Sequence, residues 1–299
     1  MNDTTHLMHA MVERHAALGL DSNTDPAALP ADDSPRAIAF AAARRLGFIP
    51  ADAEVVANAW QRQSERGAFD PDAWPVDPAD FGIPAGPRAD GFPPCPQSLG
   101  LYAVLPSAEW VGRMARAGLP TLQLRFKSRD AAAVRAEIRA AVDAVRGTAS
   151  LLFINDHWRE AIEAGAYGVH LGQEDLDTLT LSDLAQIRSA GLRLGLSTHG
   201  YAEMLRADAV GPSYLALGAV FPTTLKAMAT PPQGTGRLHA YARLMRQRSL
   251  VAIGGIGAGQ LGEIAASGVG SFAVVRAITG AADPEGAAAA LQQAWAARA

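Results

Sequence analysis

Short apolar runs recur along the chain from about residue 99 onward, and segments with apolar residues at helical spacing separate them. Such alternation is typical of a parallel sheet covered on both faces, because each apolar run forms a strand and each amphipathic segment returns the chain. The runs predict eight strands, at 101–105, 121–126, 151–154, 168–171, 193–196, 214–220, 251–253 and 272–275. Helical segments are predicted at 131–146, 181–190, 238–248 and 285–297.

This pattern predicts an α/β fold of the (β/α)8 TIM barrel type, for which about 200 residues are enough. An open, doubly wound sheet is the alternative, because periodicity does not show whether a sheet closes. Both architectures bind ligands beyond the carboxyl ends of their strands, so candidate functional residues are sought there.

The first 98 residues follow a different pattern. Ser34 and Pro35 are the residue types of a helix N-cap and first helical position, and Gly47 would end that helix. A second helix is predicted over about 53–66, whereas eight prolines between residues 71 and 96 exclude a helix or a central strand there. The predicted organisation is a small helical N-terminal extension at 1–70, a proline-rich linker or strap at 71–98, and the barrel at 99–299.

Composition narrows the class of function. The chain has 299 residues, a formal net charge of −4 and 49% hydrophobic residues, and its Lys and Arg are scattered among Asp and Glu, which argues against nucleic acid as a partner. No apolar run reaches the roughly 18 to 20 residues that cross a bilayer, and charged residues interrupt the region where a signal peptide would be apolar. We expect a cytoplasmic protein that acts on small molecules, with homo-oligomerisation possible. No chemical role is expected for Cys95, the single cysteine.

The second predicted strand carries polar residues with a period of two. Gln123, Arg125 and Lys127 therefore share one face, and the apolar residues between them share the other. In an antiparallel sheet this would indicate a strand half exposed to water. In a parallel series both faces are covered, so the polar face is predicted to point into the barrel mouth, where Arg and Lys bind phosphate oxygens.

Carboxylates end the third and fourth strands. Asp156 and Asp175 would lie at the same rim, and two such charges about 4 Å apart repel by roughly 4 kcal/mol at an effective dielectric near 20. A divalent cation reverses that cost, and magnesium fits best because its remaining ligands can be water and substrate phosphate. Helix capping by Asn155 and Asp156, and a solvated loop at Glu174 and Asp175, are the alternatives.

Anion-binding groups follow the later strands. Thr223, Thr224 and Lys226 follow the sixth strand, and Gly254 and Gly255 follow the seventh, where side-chain-free backbone lets amides approach a phosphate. A polar surface turn and a tight strand-to-helix turn are the alternatives.

Hydroxyl and imidazole groups add to the same rim. Ser197 and His199 close the fifth strand and supply further hydrogen-bond donors. His170, inside the fourth strand, is interpreted as a packed, hydrogen-bonded histidine and not as a catalytic one.

Six motifs now occur in order along the barrel. The region from about 99 to 297 resembles the thiamine-phosphate synthase family, and the resemblance rests on Gln-Leu-Arg-x-Lys at 123–127, Ile-Asn-Asp at 154–156, Gly-Val-His-Leu-Gly-Gln-x-Asp at 168–175, Leu-Ser-Thr-His at 196–199, Phe-Pro-Thr-x-x-Lys at 221–226 and Ala-Ile-Gly-Gly-Ile at 252–256. It implies a magnesium-dependent transferase of thiamine biosynthesis. Such an enzyme joins 4-amino-2-methyl-5-hydroxymethylpyrimidine diphosphate (the pyrimidine diphosphate) to 4-methyl-5-(2-phosphoethyl)thiazole (the thiazole phosphate), giving thiamine phosphate and diphosphate.

The resemblance also implies residue roles. The pyrimidine diphosphate would contact Gln123, Arg125, Lys127 and Asn155; magnesium would bind Asp156 and Asp175; Ser197 would lie near the pyrimidine amine; Thr223, Thr224 and Lys226 would contact the diphosphate or the thiazole side chain; and Gly254, Gly255, Val275 and Arg276 would hold the thiazole phosphate. Arg125, Lys127, Ser197 and Lys226 would be the catalytic groups. Two positions depart from the family's pattern: Leu225 replaces a hydroxyl residue, and Arg276 stands where some relatives have Ser.

Two other functions compete with this interpretation. A thiazole tautomerase would keep the thiazole phosphate site and lose the diphosphate-binding side chains, and a noncatalytic sensor of thiamine intermediates would bind without turnover. The stretch from Ser34 to Ala68 resembles the closing helices of hydroxymethylpyrimidine phosphate kinase, but the kinase's Gly-rich anion hole and catalytic aspartate are absent from the sequence. We expect this region to be a remnant or a structural cap without kinase activity.

Overall fold

Eight parallel strands close into a barrel in chain order within the part of the chain that the structure describes. The structure is a computed structural model that describes residues 3–21, 24–86, 88–223 and 230–298. Neighbouring strands pair in sequence, and the first strand pairs with the last. The strands are β1 (Gly100–Leu105), β2 (Thr121–Leu124), β3 (Leu151–Asn155), β4 (Gly168–Leu171), β5 (Arg193–Thr198), β6 (Tyr214–Leu217), β7 (Leu250–Ala252) and β8 (Ser271–Val274). The predicted TIM barrel is thereby confirmed, and the open sheet is excluded.

Helices surround the barrel and follow the strands. They are α4 (Ala108–Arg116), α5 (Ala131–Ala144), α6 (Trp158–Ala164), α7 (Gln173–Thr178), α8 (Leu181–Ser189), α9 (Tyr201–Val210), α10 (Gly234–Leu244), α11 (Leu261–Ala266), α12 (Arg276–Thr279) and α13 (Pro284–Ala296). β6 ends at Leu217, whereas the predicted apolar run continued to residue 220. Val220 N donates to Ile253 O, one residue beyond the end of β7, so the chain stays close to its neighbour after the strand has ended. Residues 218–220 are buried although they no longer pair with a neighbouring strand, so the length of the apolar run overestimates the length of β6.

Strand alternation separates two apolar layers. Tyr102, Phe153, Tyr214 and Val251 point inward and pack together inside the barrel. Outward-facing residues such as Leu122 pack with the helices in the larger core. The inner layer is rich in aromatic rings, which fill the barrel below its mouth.

Among the described residues before the barrel there are three α-helices: α1 (Asp3–Arg14), α2 (Pro35–Arg45) and α3 (Pro50–Arg66). The predicted start of α2 is confirmed, because Ser34 Oγ accepts a hydrogen bond from Ala37 N at 3.2 Å. α3 begins at Pro50, earlier than predicted, since proline suits the first helical position. Short 3-10 helices occupy Ala16–Leu18 and Pro78–Phe81.

The proline-rich stretch lies against the barrel. Phe92 N donates to Gly211 O at 2.8 Å, and the hydroxyls of Ser213 and Ser249 donate to the carbonyls of Pro93 and Pro96 at 2.6 and 3.0 Å. These bonds give the stretch the arrangement of a strap along the barrel. Burial raises the pKa of the Cys95 thiol in this strap to about 12, so the thiol stays protonated. Within the described ranges, no helix combines the length and apolar character needed to cross a membrane.

Candidate functional site

One cavity of about 500 Å³ opens at the carboxyl ends of the strands. Its walls come from β1 to β8 and the turns that follow them, which is where barrels of this class bind ligands. Ten of the predicted site residues line it: Gln123, Arg125, Lys127, Asn155, Asp156, Asp175, Ser197, Thr223, Gly254 and Val275.

The alternation along β2 places its polar face in the cavity. Gln123, Arg125 and Lys127 all line the cavity wall, whereas Leu122 and Leu124 are buried on the outer face. Lys127 Nζ lies 2.8 Å from Asp156 Oδ2, and both side chains are partly exposed. The Arg125 guanidinium forms no ion pair with any carboxylate in the described part of the chain. A cation in a cavity without such a partner is suited to an anionic ligand.

Asp156 has an unusual backbone conformation. Its φ is +65°, and it is the one non-glycine residue with positive φ among those described. Asp156 N donates to His170 O at 3.1 Å, and Trp158 N donates to Asp156 O at 2.9 Å, which holds the turn in place. The helix that follows has His157 as its N-cap and no side-chain capping bond, so the helix-capping alternative for Asp156 is not observed.

Asp175 faces the same cavity from the start of α7. Its Oδ2 accepts a hydrogen bond from Gly172 N at 2.7 Å, which closes the turn after β4. Glu174 also lines the cavity, so three carboxylates that follow the adjacent strands β3 and β4 share its rim with Arg125 and Lys127. Among the described residues, no group of three or more His, Cys, Asp or Glu side chains is arranged to hold a metal ion by itself. A cation here would need further ligands from water or substrate.

A chain of hydrogen bonds crosses the barrel along the floor of the cavity. Gln123 Nε2 donates to Tyr102 Oη at 3.0 Å, the two phenol oxygens of Tyr102 and Tyr214 are 2.8 Å apart, Tyr214 Oη is 2.7 Å from His170 Nδ1, and His170 Nε2 is 2.9 Å from Ser197 Oγ. Burial raises the pKa of both phenols, so both stay protonated.

Only the first of these bonds has a fixed direction. Gln123 Nε2 donates to Tyr102 Oη, whereas the phenol hydroxyls, the ring nitrogens of His170 and the Ser197 hydroxyl can each donate or accept. Ser197, at the other end of these bonds, lines the cavity.

Three residues that take part in these hydrogen bonds, His170, Tyr102 and Tyr214, were not among the predicted site residues. His170 is hydrogen-bonded, as its interpretation required, but it also lines the cavity. Tyr102 and Tyr214 line the cavity as well, although their strands look like ordinary apolar runs. Their position on the inward face of β1 and β6 would have identified them, but that face is known only once the strand register is known.

The later strands supply part of what was predicted. Thr223, Gly254 and Val275 line the cavity, whereas Gly255 and Arg276 are exposed residues outside its lining. Gly255 has φ +67°, and a Cβ there would press on Pro222 O at 2.6 Å, so this glycine allows the β6 and β7 turns to pack closely. Thr224, Leu225 and Lys226 lie outside the described residues.

The barrel is matched by a family model described as thiamine monophosphate synthase, over residues 101–278. This chain belongs to the thiamine monophosphate synthase family. A thiamine-phosphate synthase of Neisseria meningitidis serogroup B is 54% identical over 204 residues, which are 68% of this chain and 98% of that protein. The thiamine-phosphate synthase of Serratia proteamaculans is 50% identical over 202 residues, 68% of this chain and 94% of that protein.

A solved structure of this kind is also similar. The thiamine phosphate pyrophosphorylase of Pyrococcus furiosus superposes with a TM-score of 0.58 at 26% identity, covering 67% of this chain and 96% of that one. The match to the thiamine monophosphate synthase family begins in β1, so the residues before it lie outside the matched region. The family explains the barrel and its cavity but not residues 1–98, the N-terminal segment.

Proposed function

We propose that this chain is a thiamine-phosphate synthase, which joins the pyrimidine diphosphate to the thiazole phosphate and releases diphosphate. The observation that carries the proposal is one cavity in which Arg125 and Lys127 face the carboxylates Asp156 and Asp175. Cations bind the phosphate groups, and the carboxylates suit a metal that accompanies a diphosphate.

The reaction depends on stabilising the departing diphosphate, and it needs no general base. The aminopyrimidine ring stabilises positive charge at its exocyclic methylene, so the carbon–oxygen bond to the diphosphate breaks first. The thiazole nitrogen then donates its electron pair to that carbon, and the carbon–nitrogen bond forms without removal of a proton. Negative charge grows on the departing diphosphate, and Arg125 and Lys127 are the described side chains suited to stabilise it there.

Magnesium is part of the proposal. The donor set fits, because Asp156 and Asp175 supply hard oxygen ligands at one rim and substrate phosphate can complete the coordination. A bound magnesium ion would neutralise diphosphate oxygens and help that group depart. The 2.8 Å contact between Lys127 and Asp156 also keeps an ammonium beside the same carboxylate.

The hydrogen-bonded chain supports pyrimidine binding. Gln123 stands at one end and Ser197 at the other, and both line the cavity. The protonated phenols and His170 between them hold the two polar groups at a fixed separation. We propose that Gln123 and Ser197 orient the aminopyrimidine ring, and that Asn155 lies beside them. The turns at Gly254 and Val275 would receive the thiazole phosphate.

The test is a synthesis assay. The purified chain is incubated with both substrates and magnesium chloride, and thiamine phosphate and diphosphate are measured together by chromatography. Equal amounts of both products are expected, with loss of turnover when the metal is chelated. Isomerisation of a thiazole precursor without coupling would instead identify a tautomerase, and binding of both substrates without turnover would identify a sensor.

A further inference from the structure

Helix α9 begins without a side-chain cap of its own. It follows the end of β5, where Ser197 of the strand and His199 after it line the cavity, and its N-cap residue is Gly200. The missing acceptor comes from the N-terminal segment: Asp52 Oδ1 in α3 accepts a hydrogen bond from Ala202 N at 2.8 Å, across 150 positions in sequence. The first turn of α9 is therefore capped by a residue from outside the barrel.

Gly200 shows that this contact is closely fitted. Its φ is −179°, an extended conformation that any residue adopts, so backbone freedom does not require glycine here. A Cβ at this position would overlap the Asp52 carboxylate. Asp52 itself is buried, with 3% of its surface exposed. Glycine at position 200 therefore serves the approach of Asp52.

A second contact holds the neighbouring helix. Arg237 of α10 is buried and donates to Leu18 O and Leu46 O of the N-terminal segment at 2.9 and 3.0 Å. Its guanidinium also lies 3.7 Å from the centre of the Phe48 ring. Gly236 beside it admits Ala17 O at a distance that no Cβ would allow. The N-terminal segment therefore contacts both α9, which follows β5, and α10, which follows β6.

The cap is connected to the cavity by hydrogen bonds. Glu203, in the first turn of α9, accepts bonds from His199 N at 2.9 Å and from His199 Nδ1 at 2.7 Å. His199 lines the cavity two residues after Ser197. A shift of the first turn of α9 would therefore move His199 and, through it, the end of β5.

We propose that Asp52 is a positioning residue for the active site, which fixes the end of β5 with Ser197, and His199 after it, by capping α9. The N-terminal segment is then part of the working enzyme. The kinetic readout of this proposal rests on the proposed synthase function, in which Ser197 orients the pyrimidine.

The charge state of Asp52 gives the proposal a pH dependence. Burial raises the pKa of this carboxyl from 3.8 to about 6. Arg237 and Glu203 face it with opposite effects, and the phenols of Tyr201 and Tyr241 lie close enough to interact with its charge. Ionised Asp52 is the stronger acceptor for Ala202 N, so the cap weakens as pH falls through about 6.

The first experiment compares three full-length variants with the wild type at pH 8. Asp52→Ala removes the acceptor, and we expect kcat/KM for the pyrimidine diphosphate to fall about tenfold. Its KM for the thiazole phosphate is expected to stay unchanged, because that ligand is assigned to the β7 and β8 turns. Asp52→Asn keeps an oxygen at the same place and is expected to recover activity to within about threefold of wild type.

Asp80→Asn is the matched control. Asp80 is also a buried carboxylate of the N-terminal segment, but it pairs with Arg66 of the same segment at 2.8 Å. We expect this variant to keep wild-type kinetics. An equal loss in Asp80→Asn would show that any disturbance of the segment lowers activity, which would overturn the specific role of Asp52.

The pH profile separates positioning from general packing. The ratio of wild-type to Asp52→Asn activity is measured from pH 5 to pH 8.5, so that titration of the substrates cancels. We expect the ratio to fall toward one below about pH 6, where wild-type Asp52 is protonated. A ratio that is constant over the whole range would contradict the role of the ionised cap.

Gly200→Ala disrupts the contact between Asp52 and α9 by a change in the barrel. The added methyl group displaces the carboxylate, so we expect the kinetic loss of Asp52→Ala, and the double variant should lose no more than either single one. Additive losses would show that the two positions act independently and would overturn the proposal. This variant also serves if Asp52→Ala does not fold.

Hydrogen–deuterium exchange provides a readout without catalysis. In Asp52→Ala, or in Gly200→Ala if that variant alone folds, amides 199–205 are expected to exchange about tenfold faster than in wild type. Unchanged exchange together with unchanged KM for the pyrimidine diphosphate would refute the positioning role. If the wild type makes no thiamine phosphate, the synthase proposal fails, and exchange at α9 still decides the role of Asp52.

Discussion

Asp156 combines a strained backbone with a position in the cavity. A left-handed conformation costs a non-glycine residue about 1 to 2 kcal/mol, although Asp tolerates it better than most. The surrounding bonds from Asp156 N to His170 O and from Trp158 N to Asp156 O hold that conformation. Strain kept in place by its neighbours is characteristic of functional sites, and here it orients a carboxylate.

Removing the charge of Asp156 is expected to affect turnover more than stability. Asp156→Asn keeps the shape and the tolerance for positive φ, and it loses only a partly exposed ion pair with Lys127, worth at most about 1 kcal/mol. We expect kcat to fall by about 100-fold or more, while the free energy of unfolding in urea changes by less than about 1 kcal/mol.

Asp156→Gly is the control for strain. It relieves the left-handed conformation and is expected to raise the free energy of unfolding by about 1 kcal/mol while remaining inactive. Full activity in either variant at limiting magnesium would count against Asp156 as a metal ligand.

The raised pKa of Asp52 also predicts how the free energy of unfolding depends on pH. Its folded-state pKa of about 6 lies above the usual 3.8, so protonation favours the folded state and the ionised form costs stability. That contribution is fully present below pH 3.8 and is lost as pH rises through about 6. Asp52→Asn cannot ionise, so its stability relative to wild type should increase by roughly 2 kcal/mol between pH 4.5 and pH 8.

Urea unfolding at these two pH values measures the effect, with Asp80→Asn measured alongside to show what another buried carboxylate of the same segment contributes. A difference between wild type and Asp52→Asn that does not change with pH would mean that Asp52 has an ordinary pKa. Higher stability with lower activity in Asp52→Asn would fit a residue that is retained for function.

At the scale of elements, the eight strands and the helices α5, α8, α10 and α13 could be predicted because each has a local pattern. The face of β2 that carries Gln123, Arg125 and Lys127 followed from a period of two alone. Tyr102 and Tyr214 could not be recognised in the same way, since a tyrosine in an apolar strand looks like core. Their role depends on β1, β4 and β6 meeting across the barrel, which no local pattern encodes.

The hydrogen-bonded chain between those strands can be cut at its centre. Tyr214→Phe removes the oxygen that contacts both Tyr102 Oη and His170 Nδ1. Loss of these buried bonds is expected to lower the free energy of unfolding by about 1 to 3 kcal/mol. We also expect a higher KM for the pyrimidine diphosphate, because His170 no longer holds Ser197 in a fixed orientation.

Tyr167→Phe is the matched control, since Tyr167 precedes β4 and packs edge-on against Phe153 outside the cavity lining. It should leave that KM unchanged. Equal kinetic effects of the two substitutions would contradict a role for the chain in substrate binding.

At the scale of the whole molecule, the N-terminal segment and the barrel share a buried, polar contact. Helix α2 could be predicted from Ser34, Pro35 and Gly47, and α3 was predicted with a later start, whereas α1 was not predicted. The place of the segment on α9 and α10 could not be predicted, because the contacts of Asp52 and Arg237 span 150 or more positions. The division of the chain at residue 98, the cytoplasmic location and self-association stay predictions of the sequence.

Arg237 should hold the segment to the barrel. Arg237→Met removes the buried donor of Leu18 O and leaves Leu46 O with Leu20 N as its remaining donor, a loss of about 1 to 3 kcal/mol. We expect limited proteolysis to cleave within the first 98 residues faster than in wild type. Arg243→Met, at an exposed position of α10, is the control and should be cleaved at the wild-type rate. Equal cleavage of all three proteins would show that other contacts hold the segment.

The borrowed cap on α9 has a consequence for shortened versions of this protein. A fragment starting at residue 99 would have about the length of the Neisseria relative, 98% of which aligns with this chain. It would nevertheless expose the amide of Ala202 to solvent. Gly200 and Gly236 would also face solvent where Asp52 and Ala17 now pack against them. Matching a shorter homologue in size would therefore not reproduce its behaviour, because this barrel has been shaped around a neighbour that the fragment lacks.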